Sequence, residues 1–232
     1  MQIACEQLDL LKGVQAVNRA ISTRTTMPIL SNILLETTKD GVKLAATDLE
    51  LGIQMMIPAS VKKGGAITLP ARLLTEIVNN LPAAPVHLRV EEGGTQAEIQ
   101  CEETVFEILG LPATDFPFIP EPDATVVVTL EAGLLRGMVR QTVFAVSTDE
   151  TRPFLTGVFF TTEDRTVRLV ATDGGRLALR TASLGQQAKQ KFAVIVPAKT
   201  MHELARALSG VNGDVTVALA ENHLVFSLPA VR

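Results

Sequence analysis

The chain is poor in the residues that build several familiar kinds of site. It contains no Trp and no Tyr, and aromatic residues make up 4% of its 232 residues. Platforms that stack single-stranded nucleic acid need aromatic side chains, so this composition argues against that class of protein. No apolar run approaches the ~18 residues that a membrane-spanning helix needs, which predicts a protein that does not enter a membrane.

Cysteine and histidine are also scarce. Cys5 and Cys101 form no spaced motif, and the polar start of the chain is not a secretory signal, so we expect free thiols in a reducing cytoplasm. The three histidines, His87, His202 and His223, have no Cys or carboxylate at metal-ligand spacing. Phosphate-binding glycine loops and nucleophile elbows are missing too. These absences predict a non-catalytic protein without a metal or another cofactor.

What the chain does contain is an internal repeat. Three blocks return in the same order, two of them at an offset of 125 residues and the third at 127. Such a period indicates two copies of one domain, which we expect over 1–120 and 121–232. A proline-rich linker over 111–122 would join them, because four prolines forbid a helix there. The paired blocks are 28–35 with 153–160, 44–49 with 169–174, and 69–71 with 196–198.

Each copy has the pattern of a helix, several short strands, a second helix and further strands. This order predicts an α+β fold in which two helices pack on antiparallel sheets in each domain. Asp9 is the predicted N-cap of the first helix, and Pro70 opens the second. The predicted helices span 9–21, 70–81, 131–146 and 198–208, and the predicted strands of the first copy span 30–37, 42–48, 51–57, 86–91, 95–101 and 104–109.

Charge is distributed unevenly along this pattern. The net charge of −4 and the pI of about 5.5 argue against nucleic acid. The four predicted helices nevertheless carry a net charge of +3, and the rest of the chain carries a net charge of −7. Two interpretations fit: ordinary solvated helix faces, or a basic helical surface suited to a phosphate backbone without base readout. The cations on the polar helix faces are Lys12, Arg19, Arg72, Arg136, Arg140, Lys199 and Arg206.

A repeated Thr-Asp pair raises the hypothesis of an aspartic-protease dyad. Those sites need Asp followed by Thr or Ser and then Gly, whereas here Thr precedes Asp in both copies. The first copy also has Leu49 where a glycine would be required. We therefore predict that Asp48 and Asp173 form turns at strand ends.

Several of these segments resemble the bacterial sliding clamp, the beta subunit of DNA polymerase III. The likeness extends over the whole chain, and Ala-Thr-Asp-Gly-x-Arg-Leu is its most specific string. It implies the DNA-clamp fold, with six like domains from two three-domain subunits forming a ring whose helices surround duplex DNA. The segments are 26–35 and 46–50 for the first domain of the family, 111–117 for the linker, and 155–157, 170–178 and 195–199 for the second domain.

The resemblance also implies two binding surfaces. The cationic helix faces would contact double-stranded DNA without sequence preference, together with Arg24, which matches a DNA-contacting arginine of the family. In the corresponding loop of the second copy only Arg152 is a good candidate. An apolar cleft would take linear motifs from the DNA polymerase III alpha subunit, the clamp loader, other polymerases and repair proteins. Its wall here would be Leu155, Thr172, Gly174, Gly175, Arg176 and Leu177.

Two departures from the family qualify these expectations. Gly175 stands where many members carry a larger residue, often His, so the peptide preference is expected to differ. The family has a third domain that completes the cleft and closes a homodimeric ring, and this chain ends near the last strands of the second copy. We therefore expect a fragment that lacks domain III and the last strand of domain II, is monomeric and binds peptide weakly.

Three alternatives to the clamp remain at this stage. The chain could be a duplicated small-molecule-binding module that uses the turn at 172–177. It could be a hydrolase with a site that the motifs do not reveal, or a clamp relative with a role in antibiotic resistance.

Overall fold

The computed structural model describes residues 1–22, 27–119, 126–220 and 223–228. The chain divides into two compact units, Met1–Ile119 and Pro120–Arg232. Of the helices in the described ranges, none is long and apolar enough to cross a membrane.

The first unit contains two α-helices and nine β-strands in the described ranges. They are β1 (Gln2–Glu6), α1 (Gln7–Val17), β2 (Asn32–Thr38), β3 (Gly41–Thr47), β4 (Gly52–Ile57), β5 (Ser60–Lys63), β6 (Ala66–Pro70), α2 (Ala71–Asn80), β7 (Pro85–Val90), β8 (Gln96–Cys101) and β9 (Thr104–Leu109). The strands form two antiparallel sheets, with the orders β5-β1-β7-β8-β9 and β4-β3-β2-β6.

Side chains of both sheets and both helices share one core. In β7, Val86 and Leu88 are buried while His87 and Arg89 are exposed, as the period of two in a half-buried strand requires. Helix α1 approaches the sheet closely at Gly13, where an added Cβ would collide with Leu44. A glycine is therefore needed at this crossing.

The second unit repeats the scheme, with seven strands in its described ranges. Its elements are β10 (Val126–Glu131), α3 (Ala132–Arg140), β11 (Gly157–Glu163), β12 (Thr166–Thr172), β13 (Leu177–Ser183), β14 (Phe192–Pro197), α4 (Ala198–Ala207), β15 (Asp214–Ala220) and β16 (His223–Ser227). The sheets have the orders β10-β15-β16 and β13-β12-β11-β14. These orders correspond to β1-β7-β8 and β4-β3-β2-β6, so the predicted duplication of an α+β domain is confirmed.

Three helix boundaries differ from the sequence-based prediction, one of them the end of α1, which is Val17 and not residue 21. Helix α1 begins at Gln7, so Asp9 lies inside its first turn and Glu6 takes the N-cap position without a side-chain cap. The predicted helix over 131–146 ends as an α-helix at Arg140 and continues as a short 3-10 turn, Val143–Ala145. Between them the Thr142 hydroxyl donates to the carbonyls of Met138 and Val139, at 2.9 and 3.2 Å. Such back-bonding is a common feature where a helix bends or ends.

The strands β1, β5 and β6 of the first unit are absent from the sequence-based prediction, and β1 is short and leads directly into α1. Its period of two is nevertheless clear, since Ile3 and Cys5 are buried between more exposed neighbours. The linker is held to the first unit at its start: Leu111 exchanges two backbone hydrogen bonds with Thr68, at 3.0 and 3.1 Å. The remainder of the predicted linker, from Pro120 to Pro122, lies outside the described residues.

The two thiols are free and buried. Cys5 on β1 and Cys101 on β8 both pair with Val86 of the intervening strand β7, so they lie two strands apart on the inner face. Two strand spacings, roughly 10 Å, are too far for a disulfide. Burial, with smaller contributions from Asp9 and Glu6, raises the pKa of Cys5 to about 12. Burial followed by the charge of Glu102 also raises the pKa of Cys101.

Candidate functional site

The exposed face of α1 and of the 3-10 turn that follows it, Asn18–Ala20, carries two of the predicted cations in one stripe. Leu8, Lys12, Gln15 and Arg19 are exposed and recur at intervals of three and four residues. Lys12 lies 4.0 Å from the Asp9 carboxylate, a distance at which an exposed pair contributes little. The stripe therefore carries one cation near its middle and one at its C-terminal end, and it is open to solvent.

Helix α2 lies beside α1 and adds a third cation. The Gln15 side-chain amide donates to Asn79 Oδ1 at 3.3 Å, which joins the polar faces of the two helices. Arg72 is nearly fully exposed and forms an ion pair with Glu76 at 3.2 Å. Its charge is thus partly compensated, whereas Arg19 has no ion pair within the part of the chain that the structure describes. Arg24, predicted to contact DNA from the loop after α1, lies outside the described residues.

In the second unit the cations lie on α3 and α4, which pack against each other. Arg140, Lys199 and Arg206 are exposed. Arg206 donates to the Glu203 carboxylate at 2.6 Å. His202 is also exposed, and it lies on the same face of α4 because it is three residues from Lys199 and four from Arg206. Sequence reasoning did not include this histidine among the DNA-facing residues, although its spacing was sufficient to find it.

Arg136 differs from the other predicted cations because it is half-buried. Its Nε is buried without a hydrogen-bond partner, and so are Thr200 Oγ1 and Glu203 Oε2 on α4. Within the described residues these are the buried side-chain atoms without a partner, and all three belong to the pair of helices α3 and α4. Arg136 therefore contributes its stem and Nε to the helix layer and has less of its guanidinium available to solvent than Arg140.

The repeated Thr-Asp pairs form equivalent turns, as predicted. In the second unit Thr172 Oγ1 accepts a hydrogen bond from the Gly174 N–H at 3.1 Å, and Asp173 Oδ1 accepts from the N–H groups of Gly175 and Arg176, both at 2.9 Å. These two backbone donors lower the pKa of Asp173. Gly174 has φ = +92°, a conformation that glycine adopts without steric cost.

The same pattern stands at the end of β3 in the first unit. Thr47 accepts from the Leu49 N–H at 3.0 Å, and Asp48 accepts from the N–H groups of Glu50 and Leu51, at 3.1 and 2.8 Å. Leu49 occupies the position of Gly174 and has φ = +78°. The backbone geometry is thus shared by both copies, while only the second copy has small residues there.

Arg176 fixes the turn of the second unit to the 3-10 segment after α3. Its Nη2 donates to the Phe144 carbonyl at 2.8 Å, and its Nε forms an ion pair with Asp173 Oδ2 at 2.9 Å. The guanidinium carbon lies 5.8 Å from the centroid of the Phe144 ring, within cation–π range. Phe144, which is exposed, is a member of this surface that the sequence did not reveal.

Arg152 lies at the same turn. Its Nη1 would be 3.6 Å from a Cβ placed on Gly174. Its Nε pairs with Asp149 Oδ2 at 2.9 Å. The sequence analysis assigned Arg152 to DNA contact, whereas the structure places it beside residues assigned to the peptide cleft.

Around this turn the surface is apolar and open. Leu177 and Phe154 are 66% and 62% exposed, and Phe144 is 58% exposed. Leu155 is half-buried in the 3-10 turn Pro153–Leu155, which follows directly on Arg152. The structure thus brings together the six predicted cleft residues, Leu155, Thr172, Gly174, Gly175, Arg176 and Leu177, with Phe144 and Arg152 next to them.

Within the described residues no group of three or more His, Cys, Asp or Glu side chains is arranged to hold a metal ion. This surface offers apolar contact and hydrogen-bonding cations.

The duplicated two-helix unit backed by antiparallel sheets is the DNA-clamp fold, as it is in solved structures of DNA sliding clamps. Residues 1–120 match the family described as DNA polymerase III beta subunit, N-terminal domain, and residues 129–232 match its central domain. The chain therefore belongs to the family of DNA polymerase III beta subunits, which confirms the resemblance noted in the sequence.

Individual relatives give the extent of the similarity. The chain is 34% identical to the beta sliding clamp of Bacillus subtilis, a match that covers 97% of this chain and 62% of the relative. It is 36% identical to that of Synechocystis, over 98% of this chain and 63% of the relative. The chain thus spans somewhat less than two thirds of these proteins.

Solved structures of sliding clamps have the same fold as this chain. The sliding clamp of Bacillus subtilis superposes with a TM-score of 0.93 at 34% identity, covering 98% of this chain and 62% of that structure. A sliding clamp of Bartonella birtlesii bound to griselimycin gives 0.91 at 36% identity, covering 99% and 63%.

Proposed function

We propose that this chain supplies the first two domains of a DNA sliding clamp, a processivity factor that holds replication proteins on duplex DNA. The observation that carries the proposal is the pair of helix layers with outward-facing cations, in a chain whose net charge is negative. In the first unit these cations are Lys12, Arg19 and Arg72. In the second they are Arg140, Lys199 and Arg206, with a smaller contribution from Arg136. The family membership supports this assignment over a small-molecule module.

The chemistry of these faces suits a protein that slides. Exposed Lys and Arg side chains contact phosphates, and phosphate contacts carry no sequence information. The low aromatic content leaves few groups for stacking on bases. Such a clamp would stay on duplex DNA because a ring encircles the duplex, and not because of its affinity for DNA. It therefore needs no catalytic group. We place this activity in the cytoplasm.

The turn of the second unit is the proposed docking site for linear motifs of partner proteins. Leu177, Phe154 and Leu155 offer apolar contacts, and Gly174 lets a ligand backbone approach closely. Arg176 is held in place by Asp173 and Phe144, which pre-organises one wall. Partners of this kind would be the DNA polymerase III alpha subunit, the clamp loader, other polymerases and repair proteins.

An exposed edge strand in the first unit is the proposed contact for a second subunit. Strand β9 pairs with β8 on one side, and its other edge is unpaired in the described residues. Val105 and Leu109 on this strand are 53% and 72% exposed. Edge strands with exposed apolar side chains readily pair with another chain. In a homodimeric ring this edge would face the second subunit.

Duplex binding measured against salt tests the DNA proposal. The logarithm of the binding constant should fall linearly with the logarithm of salt concentration, and each lost phosphate contact should reduce the slope by about 0.9. The double variant Arg19→Ala, Arg140→Ala should therefore lower the slope by about 2 on any duplex sequence. Arg168→Ala is the matched control, because Arg168 is exposed on β12 between two buried residues and thus lies on the face of the sheet away from the core. Equal losses in the control, or a dependence on duplex sequence, would contradict the proposal.

A further inference from the structure

A depression in the first unit is lined almost entirely by hydrogen-bond donors and cations. It has a volume of about 180 Å³ and lies on the five-stranded sheet. The residues around it come from four neighbouring strands: Lys62 on β5, Gln2 and Ala4 on β1, His87 and Arg89 on β7, and Gln100 on β8, with Ile3 at its base. None of these lining residues is acidic.

The register of the strands explains why these side chains meet. Gln2 is paired with Arg89, and His87 is paired with Ala4 on one side and Gln100 on the other. Directly paired residues in an antiparallel sheet project to the same face, with Cβ atoms roughly 5 Å apart. The neighbours Ile3, Val86 and Leu88 point to the core on the other face. The depression is therefore on the solvent side of the sheet, away from the helix layer.

A β-bulge brings Lys62 to this group. Gln2 pairs with Lys63 and Ile3 pairs with Val61, so Lys62 is the extra residue between two successive pairs. A bulge changes the direction of a side chain, and bulges are frequent next to functional sites. Lys62 has no ion pair or hydrogen bond within the described residues, whereas the adjacent Lys63 pairs with Glu92 at 2.9 Å. Lys62 thus adds an uncompensated charge to the depression.

Carboxylates flank the group: Glu6 lies on the same face of the sheet, two residues after Ala4 on β1, and Glu98 lies on β8. Glu98 is paired with Arg89 in the sheet, and its oxygen is 3.7 Å from an Arg89 Nη atom. Both side chains are about half exposed, so this pair is weak and leaves most donors of the guanidinium available. Neither carboxylate lines the depression, whereas Lys62 and Arg89 do.

We infer that this depression binds a single phosphate group. Its volume corresponds to about six water molecules, which is less than drug-sized ligands occupy and enough for one compact oxyanion. Donors that converge from four strands fit the several oxygens of a tetrahedral ion better than the two oxygens of a planar carboxylate. Arg89 offers a fork of donors and Lys62 a point charge, the two forms in which proteins bind phosphate. Free phosphate and a phosphomonoester share this chemistry, and the site does not depend on the proposed clamp function.

The imidazole of His87 provides a direct reporter by NMR, since the chain has three histidines and a His87→Gln variant assigns its signal. Inorganic phosphate added at constant ionic strength should shift this signal to saturation. Lys62→Ala should weaken binding about tenfold, the loss expected for one charge-assisted contact. Lys63→Ala is the matched control, with the same change of charge one residue away, and should weaken binding much less, because Lys63 does not line the depression and pairs with Glu92. A parallel titration with a nucleoside monophosphate distinguishes a phosphomonoester from free phosphate as the ligand. Tighter binding than that of inorganic phosphate indicates an ester, and equal binding indicates the free ion.

Three results would overturn the inference. The first is that the His87 NMR signal does not shift up to roughly 50 mM phosphate. The second is that acetate at the same ionic strength shifts this signal equally. The third is that Lys62→Ala and Lys63→Ala lose affinity for phosphate equally. Both lysines are exposed, so neither variant is expected to unfold the protein.

Discussion

Asp173 and Arg176 are joined by two interactions. The Asp173 carboxylate accepts a hydrogen bond from the backbone N–H of Arg176 at 2.9 Å, and it forms an ion pair with the Arg176 guanidinium, also at 2.9 Å. The same guanidinium reaches the Phe144 carbonyl. The turn after β12 is thus closed on itself and attached to the segment after α3. Its rigidity underlies the proposed peptide site.

The two glycines of this turn should respond differently to substitution. Gly174→Ala should destabilise the second unit by roughly 1–2 kcal/mol, because φ = +92° is unfavourable for a residue with a Cβ. Gly175→Ala should change the free energy of unfolding by less than about 0.5 kcal/mol, as surface substitutions usually do. A Cβ on Gly175 would meet only Asp173 Oδ1 at 3.6 Å, an ordinary contact. Urea denaturation of the two variants measures the difference, and equal effects would refute this account of the turn.

Because Gly175 tolerates a side chain sterically, its role is expected to concern the ligand. Gly175→His should change the affinity for clamp-binding peptides while leaving the free energy of unfolding within about 0.5 kcal/mol. Titration of a labelled peptide with both proteins tests this. Unchanged affinity would place Gly175 outside the binding surface.

The double variant Arg176→Ala, Leu177→Ala should abolish capture of such a peptide. It removes both the apolar wall and the cation that is fixed against Phe144. Leu109→Ala is a suitable control, since Leu109 is 72% exposed on β9 of the first unit and its loss removes the same apolar group. Pulldown with an immobilised peptide provides the measurement. Undiminished capture by the double variant would show that the peptide binds elsewhere.

Acid should weaken the turn through Asp173. The backbone N–H groups of Arg176 and Gly175, the main cause, lower its pKa in the folded protein. A carboxyl group with a lowered pKa stabilises the fold above the unfolded value of about 3.9, and this contribution is lost as pH falls through the folded value. Stability measured between pH 5 and pH 2 should therefore decline less steeply in Asp173→Asn than in the unmodified protein. Parallel curves would show that the carboxylate has no such effect.

Neither thiol should react in the native protein. With its pKa raised to about 12, Cys5 is almost entirely protonated at pH 8, and Cys101 is buried with its pKa also raised. Because the thiolate is the nucleophile, a disulfide reagent should titrate two thiols only after denaturation. Rapid reaction of either cysteine without denaturant would contradict the burial described above.

Local patterns in the sequence were sufficient for the duplicated α+β class, although they did not predict the strands β1, β5 and β6 of the first unit. The helix stripe of α1 was predictable because helical residues three and four apart share a face, and the Thr-Asp turns were predictable because Asp accepts hydrogen bonds from the next backbone groups. The predicted N-cap of α1, Asp9, was wrong by three residues, since Glu6 takes this position without a side-chain cap. The predicted end of α3 was wrong because Thr142 and its neighbours form a 3-10 turn. Apolar periodicity does not distinguish such a turn from a continued α-helix.

Contacts between residues that are distant in sequence could not be predicted from local patterns. The sequence by itself determined two copies of an α+β domain, with cations on the helices and a glycine turn in the second copy, because each of these properties depends on neighbours a few positions apart. Only the tertiary structure decided that Arg176 lies on Phe144, that Arg152 lies beside Gly174, and that Arg136 is half-buried. It also decided that a bulge brings Lys62 next to Arg89. These relationships depend on how strands pair and helices pack over tens of residues, and the chain's local preferences do not encode those distances.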